Sequence, residues 1–206
     1  MKDIYMIILN YNQKYLTTEC INSVLNSTYV NYKILVVDNG SNDGSIETLE
    51  NKFPKVKLIK LPTNIGCEDG FNVGILNSLG EIILFLDSDA TIENRGIKKL
   101  VNEFIKDEDL GIVEPRIKRS YDGAIINEPR HWPKANNFTG CVVAFKSEVF
   151  KKIGLRPGDY FIYSSEPDIS MRTIDAGYKI LHCKDIEGFH HESQHSRQRR
   201  GDHTPV

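Results

Sequence analysis

Cysteine is scarce in this sequence, and neither sign of charge dominates it. The four cysteines are spread along 206 residues without a close pair. That spacing argues against a disulfide framework and a zinc site, and it is typical of buried thiols in a reducing compartment. The formal net charge of -2 argues against a surface built for nucleic acid, because such a surface needs a strong basic excess. We therefore expect a cytoplasmic protein that does not act on nucleic acid.

Long apolar runs are also missing. No stretch approaches the roughly eighteen uninterrupted apolar residues that a membrane-spanning helix needs, so we expect no transmembrane segment and at most peripheral contact with a membrane. The start of the chain lacks the basic leader and cleavage site of a signal peptide. With 40% hydrophobic and 26% charged residues, the composition is typical of one globular domain. We expect this domain over residues 1–193, followed by a mobile, polar and basic tail over residues 194–206.

What the sequence does contain is an alternation of strand-like and helix-like segments. It predicts an α/β protein with helices on the faces of a sheet. The predicted strands are Ile4–Leu9, Lys33–Val37, Val56–Leu61, Glu81–Leu86, Ile112–Arg116 and Cys141–Phe145, and the predicted helices are Lys14–Leu25, Cys67–Leu79, Gly96–Lys106, Ser147–Ile153 and Asp168–Ala176. The strand that begins at Glu81 is the most apolar, so we expect it at the centre of the sheet.

Two carboxylates, Asp87 and Asp89, follow this apolar strand directly. Ligands of an α/β sheet collect at the carboxyl ends of its strands. Residues two apart on an extended chain point to the same side, so both aspartates can offer oxygen to one hard cation that bridges a diphosphate. Such a cation neutralises the charge that develops as a nucleoside diphosphate leaves. The alternative is a polar turn at a strand end, because an isolated Asp-x-Asp is common.

A third carboxylate, Asp38, ends the second predicted strand and is expected at the same edge of the sheet. An aspartate there can accept a hydrogen bond from the imide of a uracil or thymine ring. It can equally cap the following loop by accepting hydrogen bonds from backbone N–H groups. The residues alone leave both interpretations open.

These segments belong to a series of short motifs that are specific only through their joint order and spacing. The motifs are Ile7 to Asn12, Val36 to Ser41, Asn64 to Gly66, Gly70 to Gly74, Asp87 to Asp89, Thr139 to Cys141, Phe145-Lys146, Glu166 to Asp168, Arg172, and Ala176 to Tyr178. With them the sequence resembles the inverting GT-A glycosyltransferases of family 2, from Ile7 to about Ser196. The resemblance implies an α/β, GT-A (nucleotide-diphospho-sugar transferase) fold with a mostly parallel central sheet flanked by helices.

The resemblance also implies which residues bind the donor. The Asn10 to Asn12 segment and Asp38 would line the nucleoside pocket, with Asp38 on the base and Asp87 near the ribose. The Asn64 to Asn72 segment would lie beside the donor. The implied donor-binding residues are Asn10, Tyr11, Asn12, Asp38, Asn64, Gly66, Asn72, Asp87 and Ser88. For the glycines, close packing of a helix on the sheet is an equally good interpretation.

A divalent cation, Mn2+ or Mg2+, is implied at Asp89, beside Asp87. The family has a late histidine that can complete this site or contact the diphosphate, and both His190 and His191 match it. A neutral imidazole is a suitable ligand for such a cation. Because neighbouring residues of an extended chain face opposite sides, we expect only one of the two histidines to bind.

The family's general base is a carboxylate just before the late helix, usually in a Glu-Asp pair. Here Ser165 and Glu166 occupy those two positions. Glu166 is therefore implied to deprotonate the acceptor hydroxyl, with Asp168 as its competitor. Alternatively, both carboxylates only favour the helix N-terminus electrostatically.

Together the resemblance implies an inverting transferase that moves a sugar from a nucleotide-diphosphate donor, UDP or dTDP favoured, to the hydroxyl of a saccharide, a lipid-linked or another acceptor. One alternative is a sugar-nucleotide binding module with impaired catalysis, because Ser165 and Glu166 replace the usual acidic pair. A nucleotidyltransferase is less favoured, since Asn10 to Gln13 is not a glycine- and lysine-rich triphosphate loop. A dinucleotide dehydrogenase is disfavoured because no Gly-x-Gly-x-x-Gly follows the first strand.

Overall fold

The structure is a computed structural model that describes residues 2–127, 137–161 and 165–191. The predicted tail over residues 194–206 lies outside the described residues, so the division at residue 193 stays a prediction. None of the described helices is long and apolar enough to cross a membrane. The four cysteines all lie within the described residues and are free thiols.

An eight-stranded sheet forms the middle of the molecule, in the order β3-β2-β1-β4-β7-β6-β8-β5. The pairs β1–β2, β2–β3, β1–β4 and β6–β8 are parallel, and β4–β7, β6–β7 and β5–β8 are antiparallel. The strands are β1 (Ile4–Asn10), β2 (Tyr32–Asp38), β3 (Lys57–Lys60), β4 (Ile82–Asp87), β5 (Ala90–Ile92), β6 (Leu110–Arg119), β7 (Val142–Lys146) and β8 (Lys179–His190). The sheet is therefore mixed, with its parallel half formed by the first four strands of that order.

Six helices in the described residues cover the two faces of this sheet. They are α1 (Lys14–Leu25), α2 (Ser45–Lys52), α3 (Cys67–Leu76), α4 (Gly96–Lys106), α5 (Ser147–Ile153) and α6 (Ser165–Asp175). Alternation along β1 separates two cores: Met6 and Ile8 face the helices α1, α2 and α4, whereas Ile7 faces α3, α5 and α6. The second core contains Phe85, which makes edge-to-face contacts with three other phenylalanines, Phe71, Phe145 and Phe150.

The predicted α/β fold is confirmed, and the apolar strand β4 is central, as predicted. Among the differences from the predicted elements, two affect the site. The short strand β5, which pairs with the end of β8, was not predicted, because three residues after an Asp-x-Asp turn have no periodic signal. Helix α6 begins at Ser165 rather than at Asp168, so Glu166 lies in its first turn and not before it.

Candidate active site

The carboxyl ends of three adjacent parallel strands bring the first polar residues of the site together. Asn10 at the end of β1 pairs with Asp38 at the end of β2, and Asp87 at the end of β4 pairs with Leu9. The three side chains follow apolar strand interiors, which are buried because helices cover both faces. Polar groups at this edge are therefore held by a rigid part of the fold.

Asp38 is fully buried and its carboxylate is occupied on both oxygens. The side-chain amide of Asn10 donates to one oxygen at 2.6 Å, and the backbone N–H of Ser41 donates to the other at 2.9 Å. The hydroxyl of Thr17 in turn donates to the amide oxygen of Asn10 at 2.6 Å. In this structure Asp38 thus caps the loop that follows β2, and its contact with a nucleobase stays a prediction.

Ser41 also fixes the turn after β1. Its hydroxyl accepts a hydrogen bond from the backbone N–H of Asn12 at 2.9 Å, and the side chain of Asn12 accepts one from Asn42 at 2.8 Å. Asn12 has a φ of 52°, a left-handed conformation that asparagine tolerates better than most residues. Tyr11, in the same turn, is partly buried.

The Asn64 to Gly66 loop lies next to this region because a buried amide, Asn39, holds it. The side-chain amide of Asn39 donates to the side chain of Asn64 and to the carbonyl of Gly66, both at 2.9 Å, and accepts from Ile65 at 3.0 Å. Gly66 has a φ of +94°, and a Cβ there would lie 2.9 Å from the carbonyl oxygen of Phe161. Gly66 therefore allows the segment around Phe161 to approach this loop closely.

Asn72, a predicted donor-binding residue, makes its contacts elsewhere. Its side-chain amide exchanges two hydrogen bonds of 2.9 Å with the backbone N–H and carbonyl of Arg156, and it is 8% exposed. In this structure Asn72 holds the backbone at Arg156, and its role toward a donor stays a prediction.

A group of candidate cation ligands lies beyond the end of β4. The carboxylate of Asp87, the thiol of Cys141 and the imidazole of His190 offer ligand atoms within 4.8 Å of one another. An oxygen of Asp89 lies 3.3 Å from Nε2 of His190, because β5 pairs Ala90 with His190. Ser88 is a partly buried residue of the intervening turn. Carboxylate oxygen and imidazole nitrogen fit a divalent cation such as Mn2+.

The two adjacent histidines face different partners, as an extended strand requires. Nε2 of His191 lies 2.9 Å from the hydroxyl of Thr91, and its backbone N–H donates to the carbonyl of Asp89 at 2.7 Å. Burial lowers the pKa of His191 below its ordinary value. His190 is therefore the histidine on the side of the Asp87 carboxylate, although its binding of metal stays a prediction.

The charges at this edge of the sheet shift one another. Burial, reinforced by the neighbouring Asp89, raises the pKa of Asp87 to about 7, while His190 and Arg156 act in the opposite direction. Burial also raises the pKa of the Glu166 carboxyl, and the charge of Arg156 opposes that rise. A cation at Asp87 would favour its charged form.

The carboxylate of Glu166, in the first turn of α6, lies beside the residue that precedes Cys141. A Cβ on Gly140 would lie 2.9 Å from Oε1 of Glu166, so the carboxylate lies against the Gly140 backbone. The next residue, Cys141, accepts a hydrogen bond from the backbone N–H of Asp87 at 3.0 Å. The Gly140-Cys141 segment therefore contacts the side chain of Glu166 and the backbone of Asp87.

Asp168, the competing base, lies on another side of α6. Its carboxylate accepts two hydrogen bonds from Arg172, at 2.8 and 2.5 Å, and Arg172 also donates to the carbonyls of Ile153 and Leu155. Arg172 therefore joins α6 to the end of α5, and Asp168 is its partner within α6.

Two further polar residues at the site, Glu114 and Arg156, had no signal in the sequence. Glu114 on β6 is fully buried; its carboxylate accepts the N–H of Thr139 at 2.6 Å and lies 2.8 Å from Nδ1 of His182. The guanidinium of Arg156 lies over the ring of Phe85, two residues before Asp87. Glutamate in a strand and arginine in a loop read as surface residues, so only tertiary structure reveals them.

The chain was compared with known proteins. Residues 5–170 match the sequence model of the family described as glycosyl transferase family 2. An uncharacterized glycosyltransferase of Haemophilus influenzae is 38% identical over 102 residues, which are 48% of this chain and 41% of that protein. The chain thus spans less than half the length of this relative.

Solved structures share its fold. The mannosyltransferase PcManGT from Pyrobaculum calidifontis, in complex with GDP-Man and Mn2+, has a TM-score of 0.77 at 21% identity, over 98% of this chain and 64% of that chain. GalNAc-T7, solved with UDP, GalNAc and Mn2+, has a TM-score of 0.79 at 17% identity, over 93% and 44% of the two chains. The chain has the GT-A fold of these enzymes and, by the extent of the family match, belongs to glycosyl transferase family 2.

Proposed function

We propose that this chain catalyses transfer of a sugar from a nucleoside diphosphate donor to an acceptor hydroxyl, with inversion at the anomeric carbon. The observation that carries the proposal is the convergence of carboxylates from separate elements at one sheet edge. Asp38 comes from β2, Asp87 from β4, and Glu166 from α6, and each follows or adjoins the carboxyl end of a strand. Family membership supports the same reaction.

Glu166 is the general base in this proposal. Its carboxylate takes the proton of the acceptor hydroxyl while that oxygen forms a bond to the anomeric carbon. The bond from this carbon to the diphosphate oxygen breaks, and the nucleoside diphosphate leaves with the electron pair. Partial burial of Glu166 raises its pKa, which makes the carboxylate a stronger base. Asp168 is engaged by Arg172 and is the weaker candidate.

Asp87, Asp89 and His190 would hold a divalent cation, Mn2+ or Mg2+. When bound, the cation stabilises the negative charge of the leaving diphosphate. The Mn2+ in the two structurally similar enzymes supports a divalent cation here. Within the chain, pairing of β5 with β8 holds Asp89 near His190, so the ligands are positioned by the sheet.

We favour a uracil or thymine base in the donor, with Asp38 as its partner. The fold itself does not select a base, since the two similar enzymes were solved with a guanine and a uracil nucleotide. Each oxygen of Asp38 can accept a second hydrogen bond, but the carboxylate is fully buried, so contact with the base would require the residues around it to move. The acceptor, a saccharide, lipid-linked or other hydroxyl, and the cytoplasmic location remain part of the proposal.

Release of nucleoside diphosphate from a panel of UDP, dTDP and GDP sugars, with and without Mn2+, tests the proposal. We expect cation-dependent turnover with one pyrimidine donor and, by NMR of the product, an inverted anomeric configuration. Glu166→Gln should lower kcat by at least about 100-fold without loss of donor binding, with Asp168→Asn as the matched control. No turnover and no nucleotide binding across the panel would refute the proposal, whereas tight binding without product would identify a binding module.

A further inference from the structure

A charged pair is buried beneath the site. Glu68 in the first turn of α3 and Arg156 between α5 and α6 have side chains only 2% and 3% exposed. The guanidinium donates to the two carboxylate oxygens at 2.6 and 3.3 Å. It also lies over the rings of Phe71 and Phe85, 4.9 and 5.3 Å from their centroids. Because Phe85 is two residues before Asp87, the guanidinium is directly below the carboxyl end of β4.

The same region of α3 holds the whole segment over residues 156–161. The Asn72 side chain bonds both backbone groups of Arg156, and the backbone N–H of Cys67 donates to the carbonyl of Phe161 at 2.7 Å. Gly158 lies against the carboxylate of Asp69. We call these contacts, together with the Glu68–Arg156 pair, the α3 clamp. The clamp joins the helix predicted to lie beside the donor to the segment that leads into α6.

Stability alone does not account for a buried ion pair at this place. Removing two charges from water costs so much that a pair of well-packed apolar side chains is often equally or more stable. Phe71 and Phe85 already provide an apolar environment for such a replacement. A bidentate ion pair is directional, so it fixes the position of the guanidinium and of the backbone that carries it.

We propose that Arg156 is a positioning residue of the transfer reaction. Glu68 orients Arg156, and the α3 clamp thereby determines the position of the Glu166 carboxylate in the site. The inference builds on the proposed function of Glu166. The paired residues Glu68 and Arg156 lie outside the motifs of the family resemblance, and the inference assigns Arg156 no contact with substrate. Loss of the pair should leave donor binding nearly intact and impair the step that needs Glu166.

The test compares Arg156→Met, which leaves a buried carboxylate unpaired, with the double variant Glu68→Met/Arg156→Met. We expect the single variant to unfold at a lower denaturant concentration and the double variant to recover most of that loss. The kcat of the double variant should nevertheless stay about 10- to 100-fold below wild type, because small displacements of reacting groups are costly. Its KM for the donor should change by less than about threefold.

Hydrogen exchange provides a readout that does not depend on turnover. The backbone amides of Arg156 and of residues 158–161 should exchange faster in the double variant than in wild type, at equal global stability. If the double variant fails to fold, Arg156→Lys replaces it, because lysine keeps the charge but cannot form the bidentate pair. We expect the same fall in kcat and the same faster exchange in that variant. Lys179→Met, which breaks an exposed ion pair with Asp107, is the control and should leave kcat unchanged.

A stable double variant with wild-type kcat and wild-type exchange would overturn the inference, because the pair would then serve stability alone. Wild-type protein without turnover on any donor would refute the proposed function instead. In that case the exchange measurement still shows whether the pair holds the segment.

Discussion

Gly140 offers a direct test of whether the position of the Glu166 carboxylate matters. Gly140 has a φ of +94°, and a Cβ at this residue would lie 2.9 Å from Oε1 of Glu166, against 3.4 to 4 Å for an ordinary contact. Replacement by alanine therefore adds a methyl group that the carboxylate must avoid. Because the glutamate side chain is flexible, we expect it to move by about half an ångström or to change rotamer.

Two effects of Gly140→Ala must be separated. Alanine at a positive φ costs roughly 1–2 kcal/mol in folding free energy wherever it occurs. Gly177, after the end of α6, has a φ of +89° with no atom within 4 Å of its ideal Cβ position. Gly177→Ala should therefore lose a similar free energy of unfolding but leave Glu166 in place, which makes it the matched control.

The assay is kcat for nucleoside diphosphate release, beside urea denaturation of both variants. We expect Gly140→Ala to reduce kcat by about 10- to 100-fold, since a displaced catalytic group forfeits its alignment, and Gly177→Ala to keep the wild-type value. A wild-type kcat in both variants would contradict the role of Glu166 as the base. An equal fall in both would mean that stability, and not the contact with Glu166, limits activity.

Three further outcomes are expected. Glu166→Gln should lower kcat by about 100- to 10,000-fold and Asp168→Asn by much less; the reverse order in a turnover assay would make Asp168 the base. The rise in Tm on addition of Mn2+, measured by differential scanning fluorimetry, should be larger at pH 8 than at pH 6. A ligand carboxylate must be deprotonated, and the pKa of Asp87 is raised to about 7. A rise in Tm that does not depend on pH would refute Asp87 as a ligand. Phe85→Ala should lose about 3–5 kcal/mol of unfolding free energy in urea, since this fully buried ring contacts three others; a loss below 1 kcal/mol would contradict its place in the core.

Much of the fold follows from patterns that are local in sequence. The helices Lys14–Leu25 and Gly96–Lys106 begin and end at the predicted residues, because their apolar residues recur at helical spacing. The apolar strand before Asp87 was predicted to be central because both of its faces read as buried. In contrast, β5 is three residues long and forms only because the end of β8 lies beside it.

The candidate site was predictable to the extent that its residues end strands. Asp38 and Asp87 end two strands that flank β1, so a parallel sheet brings them to one edge without further information. Their hydrogen bonds were not predictable. Whether Asp38 caps a loop or reaches outward depends on Asn10 and Ser41, whose positions the fold determines.

The position of Glu166 shows why supporting residues escape a motif. From one side, buried Glu114 holds the backbone N–H of Thr139, and the adjacent Gly140 sets how near the carboxylate can come. From the other side, the α3 clamp fixes the segment that precedes α6 at Arg156. These supports come from β6 and α3, which are far from residue 166 in sequence. Ser165, in place of the acidic residue usual in the family, therefore says little about the proposed role of Glu166 as base, because the residues that support Glu166 lie outside the motif that contains it.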